Sequence, residues 1–180
     1  MSSKLVNTDI VRIVAVVGGL RDQAKPTVSE LEGAVDITCA IASGYTLGMN
    51  ASETIQGTQT LCEKAASTRR GPANYAGEFT FVREGDRNAQ DTTSAFLKAA
   101  KVFKDPDTRV DIVRRGGVAT APDSALPYTE KFAEGQTVEV FGFTTDYPQN
   151  RPDQNGEDAT YTVALLPTGQ FEHAVKVTAG

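Results

Sequence analysis

His173 is the only histidine among the 180 residues, and Cys39 and Cys62 are the only thiols. Any nucleophilic or acid–base chemistry would therefore have to assemble from these three. A cysteine made reactive by imidazole also needs a third group to orient the ring, and no residue pattern around His173 marks one. His173 alternates with Phe171 and Val175 on a strand-like run, which places it against a core edge or a neighbour. Zinc requires three or four suitable ligands, and one histidine with two scattered cysteines does not supply them. The acidic runs DPDTRVD (105–111) and DQNGED (153–158) carry carboxylates suited to calcium. The first lacks the mid-loop glycine and terminal glutamate of an EF-hand loop, and the second reads equally as a hairpin tip. Gly18-Gly19 follows an apolar run, yet neither GxGxxG nor GxxxxGK[ST] is present. The expectation is a chain with no catalytic residue, no metal and no cofactor.

Charge narrows the partners. The net charge is −5 and the sequence pI about 4.9. Tight nucleic-acid binding depends on Lys and Arg displacing counterions from phosphates, so the acidic balance argues against a protein that holds DNA or RNA. The basic doublets Arg69-Arg70 and Arg114-Arg115 read as solvated faces or partner contacts. The apolar run IVAVVGGL near the start is bracketed by Arg12 and Arg21 and is too short to span a bilayer. A buried strand fits it, and no membrane association is expected. Two cysteines do not make a disulfide framework, so Cys39 and Cys62 read as small buried apolar residues of a soluble, cytosolic product.

Period-two alternation is the mark of a half-buried strand. It appears in 4–18, in DITCAIASGY (36–45), in NYAGEFTFVRE (74–84), in RVDIVRR before Gly116, in 137–147, in 159–166 and in 171–178, with a weaker instance in ETIQGTQTLCE (53–63). Asn155-Gly156 is a turn signal between two of these. KPTVSELEG gives one helical turn closed by Gly33. QDTTSAFLKAAKVF (90–103) predicts the main helix, capped by Asp91 or Thr92, with Phe96, Ala99, Ala100 and Phe103 forming one apolar stripe. About seven to eight strands and one flanking helix predict a mainly β protein, a β-sandwich or barrel, in a single domain over 1–180.

One feature does not fit a self-contained domain. The 116–136 connection, GGVATAPDSALPYTEKFAEGQ, exceeds the roughly 12–15 residues beyond which loops are uncommon unless functional or disordered. It carries Leu126, Tyr128 and Phe132, stiffened by Pro122 and Pro127. Either it folds over its own sheet or those side chains are buried in a neighbouring subunit, since an exposed apolar loop would aggregate. The N-terminal segment 1–25 invites the same reading. Arms that join identical subunits head-to-tail generate rings or filaments.

The succession PTVSELEGAVDITCAI, TQTLCE, NYAGEFTFVRE, the helix, RVDIVRRGG and LPYTEKFAEGQTVEVFGFTTDYPQ resembles the major tail tube proteins of long-tailed phages, particularly those of actinobacteria. The resemblance covers 26–180 and rests on segment order. It implies a β-sandwich with a flanking helix that assembles as hexameric rings stacked into a hollow tube, with an inner β-barrel around the channel through which genomic DNA leaves. It also implies tape measure, tail tip and terminator proteins as partners, and a place in the virion tail after assembly in the host cytoplasm. Within that frame, 116–136 is assigned here as the inter-subunit loop, with Leu126, Tyr128 and Phe132 as its anchors. A channel that passes DNA without binding it favours carboxylate walls, and Asp36, Glu53, Glu139 and Asp146 are the lumen-facing candidates. A tail terminator, tip or tube-completion protein of related fold is the alternative, with a ligand-binding β-barrel or a hydrolase behind it.

Overall fold

The computed structural model describes residues 11–59, 61–62, 64–65, 67–83, 94–117, 127–151 and 158–180. Its strands are β1 (Val11–Val17), β2 (Val35–Asp36), β3 (Thr46–Asn50), β4 (Thr54–Gln56), β5 (Thr68–Arg70), β6 (Asn74–Val82), β7 (Arg109–Gly116), β8 (Thr137–Thr145), β9 (Gln149–Asn150) and β10 (Thr160–Lys176). Helix α1 is Val28–Glu32 and helix α2 is Ala95–Phe103, with 3-10 turns at Thr38–Ala40 and Pro127–Thr129. The main sheet runs β2-β1-β7-β8-β10-β6-β3, with β9 beside β10, and every pair in it is antiparallel. Strands β4 and β5 form a separate ribbon. The protein is mainly β, as expected.

The central strands bury both faces. On one, Ile13, Ala15, Val110, Ile112, Phe141 and Phe143 meet Phe79, Phe81 and Leu165 under α2, which contributes Ala99, Val102 and Phe103. Inward residues from both halves of the sheet share this core, so the sheet curls on itself. Arg114 on β7 reaches the Leu47 carbonyl on β3 at 3.3 Å across that curl. On the opposite face Val14, Val113, Val138 and Val140 pack with Leu20, Leu31, Phe132 and Val177. Strands β7 and β8 are continuous apolar runs for this reason, whereas β6 alternates, with Tyr75, Gly77, Phe79 and Phe81 all inward. Gly77 leaves room for Phe143, whose Cζ would lie 2.7 Å from any added Cβ.

Helix α1 begins with a capping box. The Thr27 hydroxyl accepts the Glu30 N–H, and the Glu30 carboxylate takes the Thr27 N–H. The Thr27 hydroxyl also donates to the Glu30 carboxylate at 2.7 Å, and this bond, helped by the Thr27 N–H, holds the Glu30 carboxyl below its usual range. Helix α2 begins at Ala95, after Ser94. Asp91 and Thr92, expected as its caps, lie outside the described residues, as do Asn155 and Gly156. Its stripe is present: Ala99 and Phe103 are buried, and Phe96 and Ala100 pack half-buried against the core.

Several expectations are corrected. The 36–45 run is not a strand beyond Asp36. The Asp36 Oδ1 accepts the Thr38 N–H at 3.0 Å, and the Thr38 hydroxyl donates to the Ile13 carbonyl at 3.1 Å, turning the chain into a 3-10 turn. That turn buries Ile37 and Ala40 and leaves Cys39 exposed; Cys62 is exposed as well, so neither thiol is a core residue. The weak 53–63 strand shrinks to β4, and 159–166 with 171–178 merge into the long strand β10. The doublet Arg114-Arg115 is not solvated: Arg115 is 7 % exposed, and burial pulls its guanidinium down from the ordinary value.

Strand β10 stays continuous by bulging between Pro167 and Phe171 and again between Glu172 and Val175. The first bulge is held by the Tyr75 hydroxyl, which accepts the Gly169 N–H at 3.1 Å and lies within hydrogen-bonding reach of the Gly142 and Gln170 carbonyls. The second places Ala174 at φ 58°, in left-handed space that costs an L residue with a Cβ roughly 1–2 kcal/mol. Ala174→Gly is therefore expected to stabilise the protein by about 0.5–1 kcal/mol after the added freedom of the unfolded chain is subtracted. A urea midpoint that falls instead would show the bulge is not strained.

Candidate assembly surfaces

The described residues hold no group of three or more His, Cys, Asp or Glu placed to bind a metal ion. His173, read as facing a core edge or a neighbour, is largely exposed, and its Nδ1 sits 3.0 Å from a Glu139 carboxylate oxygen. Glu139 also pairs with Arg114. These three residues line a shallow cavity of about 340 Å³ with Val11, Tyr45 and Ala174. Neither cysteine lines it, so no thiol–imidazole couple forms there.

The four acidic candidates do not share a face. Asp36 lies on the short edge strand β2, 3.0 Å from Arg12 Nε. Glu139 opens β8 and is neutralised as described. Asp146, just past the end of β8, is half-buried and accepts the Tyr147 N–H at 2.7 Å. Glu53 is exposed at the base of the β4–β5 ribbon, where its carbonyl accepts the Gly71 N–H at 2.6 Å. Ionic partners already occupy Asp36 and Glu139.

The expected arms divide. Of the 1–25 segment, residues 1–10 lie outside the described residues, and Val11–Val17 is a strand between β2 and β7. That part is spent inside its own subunit. In the 116–136 connection, 118–126 with Leu126 lie outside the described residues, and Tyr128 is half-buried in the middle of the Pro127–Thr129 turn. Phe132 is corrected as a partner anchor. It is 3 % exposed, its ring lies under the guanidiniums of Arg12 and Arg115 at 4.7 and 4.9 Å, and its N–H donates to Glu32 at 2.6 Å. Arg12 Nη1 donates to Glu130 O at 2.7 Å and Arg115 Nη1 to Lys131 O at 3.0 Å. The close of the loop is thus knotted to β1, β7 and α1.

Three surfaces remain open. Among the described residues strand β3 ends the sheet with no strand paired beyond it; it carries neither proline nor lysine and exposes Met49. Strand β10 pairs with β6 only through Leu165, so among the described residues its half toward Lys176 has β8 on one side and no paired strand on the other until Thr178, just past its end, bridges Thr27. The β4–β5 ribbon is exposed at every strand position, with Ile55 54 % exposed and Leu61 beyond it fully exposed. Sequence reading gave a weak strand over 53–63, which takes in β4, and none at β5, because the ribbon buries no face and keeps little period.

A family model described as phage tail tube protein matches residues 1–180 of this chain. Among solved structures, a chain in the cryo-EM structure of the anti-feeding prophage (AFP) baseplate, 6-fold symmetrised, is similar in fold: TM-score 0.52 and 12% identity, covering 99% of this chain and 98% of that one. No curated protein sequence matches the chain.

Proposed function

Because this chain belongs to the phage tail tube protein family through a match over residues 1–180, we propose that it forms hexameric rings that stack into the tail tube and serve as the conduit for DNA delivery. It is a structural tail protein of a bacteriophage virion. The observation that carries the self-assembly is the pair of sheet edges left without a partner strand among the described residues, β3 and the late half of β10. Exposed edges template pairing with another chain, and soluble monomers blunt them with lysine, proline or short length. In a ring they become mating surfaces, and head-to-tail pairing that closes on itself gives a cyclic oligomer.

The six-fold order of the similar baseplate supports the ring number we take. The net charge of −5 supports a wall that repels the duplex rather than holding it. On this reading the chain is one domain without catalytic activity, assembled in the host cytoplasm around a tape measure protein and bounded by tip and terminator proteins. The 118–126 part of the loop and residues 1–10 serve as arms between subunits.

Negative-stain microscopy of concentrated purified protein tests this. Long hollow tubes with six-fold end views are the expected result. Single closed rings that never stack would mark a terminator or tube-completion protein instead, and monodisperse monomers that also fail to extend on purified tail-tip complexes would defeat the tube reading.

A further inference from the structure

We propose that His173, Glu139 and Arg114 form a strut that fixes the angle between the two open edges, the late half of β10 and β3, and so sets how many copies close a ring. The proposal rests on the ring reading and names the positioning residues behind its closing angle. On the face carrying the larger core, Phe141 of β8 pairs with Ile112 of β7 on one side and with Phe171 of β10 on the other. Residues two positions away on each strand lie on the same face. There Arg114 is opposite Glu139, and the apolar row gives way to a charged one. The β10 bulge between Glu172 and Val175 aims His173 into that row, with its Nδ1 3.0 Å from Glu139 Oε1.

The cluster spans the molecule. Glu139 Oε2 accepts from Arg114 Nε, with Arg114 Nη2 paired to the same oxygen. Arg114 Nη1 then donates to the Leu47 carbonyl of β3 at 3.3 Å. The bonds thus run from β10 through β8 and β7 to β3, from one open edge to the other. Charge-assisted bonds are roughly twice as strong as neutral ones. The Arg114 and Glu139 side chains are only 28 % and 21 % exposed, so salt and solvent screen them only in part. Leu47 packs its side chain in the core, but no strand pairing ties β3 to the β7–β8 wall. Among the described residues β3 pairs with β6 alone, and Tyr45, just before it, shares with Glu139 and His173 the lining of the cavity of about 340 Å³.

Ring closure is sensitive to that angle. A six-fold ring turns about 60° per copy, and five- and seven-fold rings differ from it by only about 10°. Between walls packed about 10 Å apart, a splay of about 2 Å tilts one edge against the other by that much. A spanning hydrogen bond that opens allows movement of this size. The cluster therefore acts on ring number, through the edges it holds apart.

Counting ring number in negative-stain end views tests it, with uniform six-fold rings expected of the unaltered chain. Arg114→Met keeps most of the stem, loses every donor and cuts the β3 end. It should fold with an unchanged circular dichroism spectrum and give mixed five-, six- and seven-fold rings. His173→Ala cuts the exposed β10 end and should mix the ring number less. A subunit that is merely destabilised lowers the yield of rings and leaves their number alone. Uniform six-fold rings from either folded variant, or a folded Arg114→Met chain that stays monomeric, would overturn the strut. If Arg114→Met does not fold, the His173→Ala chain decides in the same way. An unaltered chain that forms no rings removes the ring reading and the strut with it, whereas uniform rings from all three chains remove the strut alone.

Discussion

A Thr46→Lys/Met49→Lys chain is expected to fold with an unchanged circular dichroism spectrum and to form no tubes. Strand β3 holds its place through β6, with Leu47 opposite Gly77 and Met49 opposite Tyr75. Leu47 is buried, whereas Thr46 and Met49 are exposed. Lysine at the two exposed positions leaves the buried contacts alone, and such surface changes stay within about 0.5 kcal/mol of neutral. At an edge, however, lysine is the residue soluble sheets use to stop another strand from adding. An incoming strand would have to desolvate two ammonium groups along the β3 edge. The effect on assembly is therefore far larger than the effect on the monomer, and comparing urea midpoints with tube yield separates the two. Tubes at the normal yield from the double-lysine chain would show that β3 is not a mating edge.

What the sequence revealed and what it hid divide along burial. Strands β6, β7 and β8 were legible because their side chains alternate or run apolar toward the two cores, and α2 because Phe96, Ala99 and Phe103 keep helical spacing against Phe79 and Phe81. The 36–45 segment misled because Ile37, Cys39 and Ile41 alternate like a strand, while Asp36 and Thr38 bond to the backbone and turn it. Side-chain competition of that kind leaves no mark on apolar periodicity. The ribbon and the open edges were hidden for the opposite reason. The ribbon buries no face and edge strand β3 buries only Leu47. The chain therefore shows no more of them than the weak alternation over 53–63 that takes in β4, and nothing in it tells which strands lack a partner. The acidic candidates fared the same way, because Asp36 and Glu139 find arginines distant in sequence, at positions 12 and 114.

Phe132→Ala is expected to destabilise the isolated subunit by about 3–5 kcal/mol, a large share of the roughly 5–15 kcal/mol that holds a domain of this kind together. The ring fills the core among Val14, Leu31, Val113 and Val140, and its removal also leaves the Arg12 and Arg115 guanidiniums without the aromatic surface they cover. Cation–π contacts of this sort are worth about 0.5–2 kcal/mol each. Phe132→Leu keeps most of the volume and loses that surface, so it should fall between the two. Tyr128→Ala, at a half-buried turn four residues earlier, should move the urea midpoint little. The pattern distinguishes two roles for one loop. An aromatic held between subunits would, when truncated, leave the monomer unchanged and weaken only the polymer. One that locks the loop's closing residues onto β1 and β7 must weaken the monomer first, and assembly follows because the segment leading into 118–126 loses its fixed exit. A Phe132→Ala monomer as stable as the unaltered one would return this side chain to the partner interface.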